Sequence, residues 1–299
     1  MMLLVDQSSP SLLLRATHVL AVQVVSFLPG GWSRKPEGGV IRQVETEIRI
    51  EEIAKGTVGE PVGAVVKTTL AQHGTGISRI AAVPGVWSPY EDIEPGARFV
   101  TMSVSGSESA AELLRDPACQ AVIPSEEALS DVHLAEQVED GALDIFGAVA
   151  LAKQHAPTLK GLYVDYVWAR FSPIALADEE KFVPVAELLE QPGLATMARS
   201  TLISRLTTGL TNPEPPPEKQ LARYAISLFR LLEMPEAEGF HDHIVGTYLP
   251  TVLDVTSPEA PSADRVFEDH PGEKARAQRA LSGYKGEEPT APLLAWLSR

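Results

Sequence analysis

The chain has 299 residues, 44% of them hydrophobic and 22% charged, and a formal net charge of −15. That apolar content supports a proper core in one large or two ordinary domains. The acidity is concentrated late: residues 1–125 carry 10 Lys/Arg against 13 Asp/Glu, and residues 126–299 carry 15 against 27, which makes the later part a poor partner for a phosphate backbone.

Met1-Met2-Leu3-Leu4-Val5 ends at Asp6. It lacks a basic leading region and is too short for a signal peptide, so a cytoplasmic setting is expected. No stretch approaches the ~18 consecutive apolar residues of a membrane helix. Ser9-Pro10-Ser11 before Leu12 to Arg15 reads as a short capped helix or strand lead-in. Val19 to Phe27 is rich in β-branched residues and stops at Pro29-Gly30-Gly31, a strand followed by a loop.

The clearest element is Val44 to Glu51. Val44, Thr46, Ile48 and Ile50 alternate with Glu45, Glu47, Arg49 and Glu51, a period of two that only a strand resolves into an apolar and a charged face. Val62 to Leu70, Ile77 to Val83, Ala97 to Met102 and Ala118 to Ile123 complete a set of short strands broken by Gly/Pro turns. Cys119, the only cysteine, sits in the last of these and reads as a small buried residue; alone, it can make neither an internal disulfide nor a thiolate metal cluster.

Beyond about residue 124 the period changes. Ser125 to Leu129 reads as a capped helix start, and Leu143 to Gln154, Leu159 to Phe171, Ala195 to Leu210, Glu218 to Met234 and His241 to Leu253 read as helices. In the fifth, Leu221, Ala225, Leu228 and Leu232 share a face flanked by Tyr224 and Leu231, with Arg223 and Arg230 placed mostly away from it. Tyr163, Tyr166 and Trp168 lie at helical spacing and read as core. Asn212 to Pro217 is a stiff connector. Residues 256–290 are polar and Pro-rich, a loosely packed tail with one or two short helices that Leu293, Leu294, Trp296 and Leu297 dock back.

The N-terminal third resembles bacterial netrin/TIMP-like β-barrel modules over about residues 16–104. The resemblance rests on Thr17 to Val25 as an opening strand, Val44 to Gly56 as a second strand closing on Lys55-Gly56, and Pro95 to Met102 as a later strand. It implies an OB-like five-stranded barrel. It does not extend to the helical part, and protease inhibition through an N-terminal cysteine is not carried over, since no cysteine precedes Cys119.

Candidate chemistry is sparse. There is no G-x-S-x-G elbow, phosphate loop or dinucleotide fingerprint, and no cofactor is expected. His18 reads as a core-edge residue, and His73-Gly74-Thr75-Gly76 as a turn. Glu238, His241, Asp242 and His243 form the one metal-like cluster, but His241 and His243 point to different sides of a helix. Gly30-Gly31-Trp32-Ser33-Arg34-Lys35 joins the first two strands, and an exposed aromatic beside two cations there can stack a base or anchor a partner. Trp87 and Tyr90 form a second aromatic loop.

The fold class read from this is α+β, an OB-like five- or six-stranded antiparallel barrel over 1–124, an all-α HEAT-like or bundle domain over 125–255, and a tail over 256–299. The function expected is a non-catalytic protein-interaction or adaptor subunit, with Trp32, Arg34, Lys35, Trp87 and Tyr90 as binding residues. The alternatives are single-strand nucleic-acid binding by the barrel and a metal-dependent hydrolase using His241, Asp242 and His243.

Overall fold

A computed structural model describes residues 11–34, 40–73, 94–104, 106–115, 122–212, 217–255, 257 and 260–298. The expected strand at 77–83 and the aromatic loop with Trp87 and Tyr90 lie outside the described residues, as do Lys35, Cys119 and 213–216 of the connector. The chain forms two compact units, Met1–Asp140 and Gly141–Arg299.

The first unit runs α1 (Leu12–Arg15), β1 (His18–Pro29), β2 (Ser33–Arg34), β3 (Val40–Lys55), β4 (Val65–His73), β5 (Arg98–Ser103), α2 (Ala110–Leu113), β6 (Val122–Pro124) and α3 (Ser125–Asp140). Its six strands form one sheet in which every pairing is antiparallel. The long β3 takes β1 on one edge and β4 on the other; β5 lies on the far edge of β1, and β6 on β5. Among the described residues no pairing joins β4 to β6, so the sheet is open and the expected barrel is not formed by these strands. β6 is three residues long and spends its pairing on Phe99 to Thr101.

The alternation in β3 holds. Val44, Thr46, Ile48 and Ile50 are buried, while Glu45 and Arg49 are exposed and Glu47 and Glu51 half-buried. Ile48 and Ile50 join Leu20, Val22, Val24, Val66, Leu70, Phe99 and Leu113 in one core. Burying each large aliphatic side chain contributes roughly 1.5–3 kcal/mol. The outward charges pair across strands: Glu47 with Lys67 at 3.2 Å, Glu51 with Arg98 at 2.8 Å. Gly56 ends β3 with φ +80°, and a Cβ there would stand 2.5 Å from the Thr17 carbonyl oxygen and against the His18 ring. His18 is buried at that edge, its Nε2 3.0 Å from the Thr57 carbonyl oxygen.

The change of period near residue 124 matches the start of α3, yet the divide between units falls at the other end of that helix. Two polar ties hold α3 to β3. His133 Nε2 lies 2.5 Å from Glu52 Oε1, and Lys55 Nζ donates to Glu139 Oε1 at 3.3 Å. Partial burial pushes the nearby Glu136 carboxyl above its ordinary value.

The second unit contains α4 (Ile145–Gln154), α5 (Leu162–Ala177), α6 (Glu179–Leu188), α7 (Thr196–Thr211), α8 (Glu218–Leu231), α9 (His241–His243), α10 (Leu249–Leu253), α11 (Ala263–Val266), α12 (Pro271–Gly283) and α13 (Ala291–Leu297). Asp144 caps α4 through the Gly147 amide, and Asp178 caps α6 through the Glu180 amide. Tyr163, Tyr166 and Trp168 are buried as expected. Helix α6 was not among the expected helices; its buried Phe182, Val185, Ala186 and Leu188 span Pro184, which reads as a breaker in the sequence.

Helix α8 departs from a one-faced helix. Arg223, Ile226, Ser227 and Phe229 are buried along with Tyr224, Ala225, Leu228 and Leu231. Its neighbours α6 and α12 cover the polar side, and carboxylates from α6, the turn after it and α12 pair with it: Glu187 accepts from Arg223, and Glu190 and Glu273 accept from Arg230. The C-terminal segment is not loose. Phe267, Leu293, Trp296 and Leu297 are buried, and Trp296 Nε1 donates to the Pro261 carbonyl at 2.8 Å. Ring centres of Phe229, Phe267 and Trp296 follow one another at 6.1 and 6.2 Å. No helix among the described residues is long and apolar enough to cross a membrane.

Candidate functional site

The exposed aromatic of the first unit lies where the sheet narrows. β5 pairs with β1 only as far as Gln23, while β1 continues along β3 until Pro29 stands opposite Val44. β2 carries on along the same edge, with Ser33 opposite Ile41 and Arg34 opposite Val40. An irregularity between Val24 and Ser26, and a proline without an N–H at position 29, blunt the edge that β5 leaves uncovered.

One step along this register, Trp32 stands opposite Arg42, and opposed residues of an antiparallel pair share a face. The Arg42 guanidinium carbon lies 4.6 Å from the centre of the Trp32 ring and 6.0 Å from that of Phe27. Arg42 has the parity of Val44, Thr46, Ile48 and Ile50, so the three side chains extend the core face past the end of the core. Phe27 still packs against the core and is half-buried, whereas Trp32 is 48% exposed. Arg34 is exposed, and strand alternation puts it on the face of Trp32.

The opposite face of the ribbon is charged and polar. It carries Glu45, Glu47, Arg49 and Glu51, with Glu47 paired to Lys67 and Glu51 to Arg98, and Leu28 opposite Glu45 and 66% exposed. Hydrogen bonds from Lys67 and Ser26 hold the Glu47 carboxyl below its ordinary value. The ribbon end therefore separates its chemistry by face, aromatic and cationic on one side, mixed in charge on the other. A cation over an exposed indole contributes about 0.5–1 kcal/mol and presents the ring in one orientation.

Of the binding residues expected from sequence, the structure brings Trp32 and Arg34 together on one face. Sequence reasoning missed Phe27 and Arg42. A usable signal existed for Arg42, a cation on the core-facing parity just before Val44, which marks where that face leaves the core.

The metal-like cluster is drawn three ways. His241 Nε2 is 2.9 Å from the Leu231 carbonyl oxygen, Asp242 accepts from the Tyr284 hydroxyl, and the His243 ring sits 6.5 Å from that of Tyr248. Burial and the Asp242 contact raise the Tyr284 hydroxyl pKa. A π turn, Ile244–Tyr248, follows directly, and Pro250 cannot donate to the Gly246 carbonyl as a regular helix would require. Among the described residues no three His, Cys, Asp or Glu side chains are grouped to hold a metal ion.

Comparison with family models, with curated proteins and with solved structures returned no match.

Proposed function

We propose that this chain is a non-catalytic protein-interaction subunit whose first unit engages a protein partner through the ribbon face of Phe27, Trp32, Arg34 and Arg42. The observation that carries the reading is the half-exposed Trp32 stacked on Arg42. Tryptophan and arginine are the residue types that most often anchor protein interfaces, and a ring already held in place loses less entropy on binding. We read the first unit as an OB-like module on its strand order, a β1–β3–β4 meander with β5 returning beside β1 and β6 beside β5. The acidic composition and single cysteine support a cytoplasmic setting.

The test is affinity capture from the protein's own cells with wild-type chain and Trp32→Ala side by side, followed by reconstitution from purified components. A partner held by wild type and lost from the variant supports the reading. A chain that stays monomeric and retains no partner, or one whose partner is indifferent to Trp32, removes it.

A further inference from the structure

The charge pattern around Trp32 restricts what can lie on it. Two charged side chains placed beside Trp32 on that face, Arg34 and Arg42, are both cationic in a chain of net charge −15. Arg42 is engaged with the indole, and Arg34 is exposed on the same face. A continuous polyanion binds by displacing counterions along a row of cations. Here the row is short, Arg34 and Arg42 at the end of one ribbon, too few cations to hold a long strand of nucleic acid. A short segment needs only one or two carboxylates over Arg34, with an apolar side chain against the indole.

We propose that the partner contacts this face through a short acidic segment carrying an aromatic or aliphatic anchor, the anchor on Trp32 and the carboxylates towards Arg34. This rests on the interaction reading above and adds the chemistry of the partner. Charge complementarity then orients the segment and speeds its docking, while the anchor sets its residence time.

The experiment selects a displayed library of short random peptides on the full chain. Selected peptides are then measured as fluorescein-labelled probes against wild type, Trp32→Ala and Arg34→Glu, with an oligothymidylate as the polyanion control. The expected result is enrichment of Asp and Glu beside one aromatic or aliphatic residue. Binding should weaken by roughly tenfold or more in Trp32→Ala, the size of a central anchor, and Arg34→Glu should abolish the preference for acidic over lysine-substituted probes. Both variants alter exposed side chains, and unchanged far-UV circular dichroism confirms that they fold. The proposal is overturned if no acidic preference emerges, if probes ignore both substitutions, or if the oligothymidylate binds more tightly than any peptide. A partner captured through Trp32 together with a library showing no acidic bias would sink this inference and leave the interaction reading standing.

Discussion

Arg230 grips Glu273 with two hydrogen bonds, Nε to Oε2 at 3.2 Å and Nη2 to Oε1 at 2.8 Å, while its Nη1 donates to Glu190 at 2.9 Å. One guanidinium thereby ties α8 to α12 and to the turn that follows α6. The planar fork matches the carboxylate, which makes this pairing stronger and more directional than an isolated surface ion pair.

Glu273→Gln should destabilise the second unit by about 1–2 kcal/mol near neutral pH, the range for hydrogen bonds to a charged group at a partly exposed site. The hydrogen bonds from Arg230 hold the Glu273 carboxyl below its ordinary value of 4.5. The unfolded chain therefore takes up a proton at higher pH than the folded chain does. The stabilisation is complete above the ordinary value and is lost as pH falls through the lowered one. Urea denaturation of wild type and variant across this range should show their difference shrinking with acid. A difference that grows on acidification contradicts the assignment.

The buried pair of Arg205 and Asp165 should behave asymmetrically. Both are nearly fully enclosed, and Arg205 Nε donates to Asp165 Oδ1. Asp165→Ala takes the acceptor away from a buried guanidinium and should cost about 3–5 kcal/mol. Adding Arg205→Met should recover much of that loss. A double-mutant cycle from equilibrium denaturation reads both.

On β3 the two faces should separate cleanly. Ile48→Ala empties a fully buried site and should cost about 2–5 kcal/mol. Glu45→Ala changes an exposed residue and should stay within roughly 0.5 kcal/mol of wild type. Equal costs at the two positions would mean that the register is wrong.

Trp296→Ala should lower stability by about 3–5 kcal/mol and open the C-terminal segment to limited proteolysis, because the indole is fully buried and its Nε1 is bonded to Pro261. Cleavage patterns identical to wild type would contradict the docking of α13.

Some of this was legible without coordinates because it depends on neighbours in the chain. The alternation from Val44 to Glu51 specifies a two-faced strand, since side-chain direction in a strand follows from position alone. The same local logic located α4, α7 and α8, and identified Tyr163, Tyr166 and Trp168 as core. It failed at α6, where Pro184 reads as a helix breaker although Phe182, Val185, Ala186 and Leu189 keep helical spacing and are buried. It also placed Arg223 and Arg230 away from the packed face of α8, because the carboxylates that accept from them come from α6, the turn after it and α12.

The ribbon site divides in the same way. Trp32 and Arg34 stood out as an aromatic beside cations in a glycine-rich loop. That Arg42 stacks on Trp32, with Phe27 beyond it, follows only once β1 and β2 are laid along one edge of β3 in a fixed register. Helical and strand periods are written into consecutive residues. Register between strands, and the partner of a half-buried charge, are set by which distant surfaces meet, and tertiary packing alone decides that.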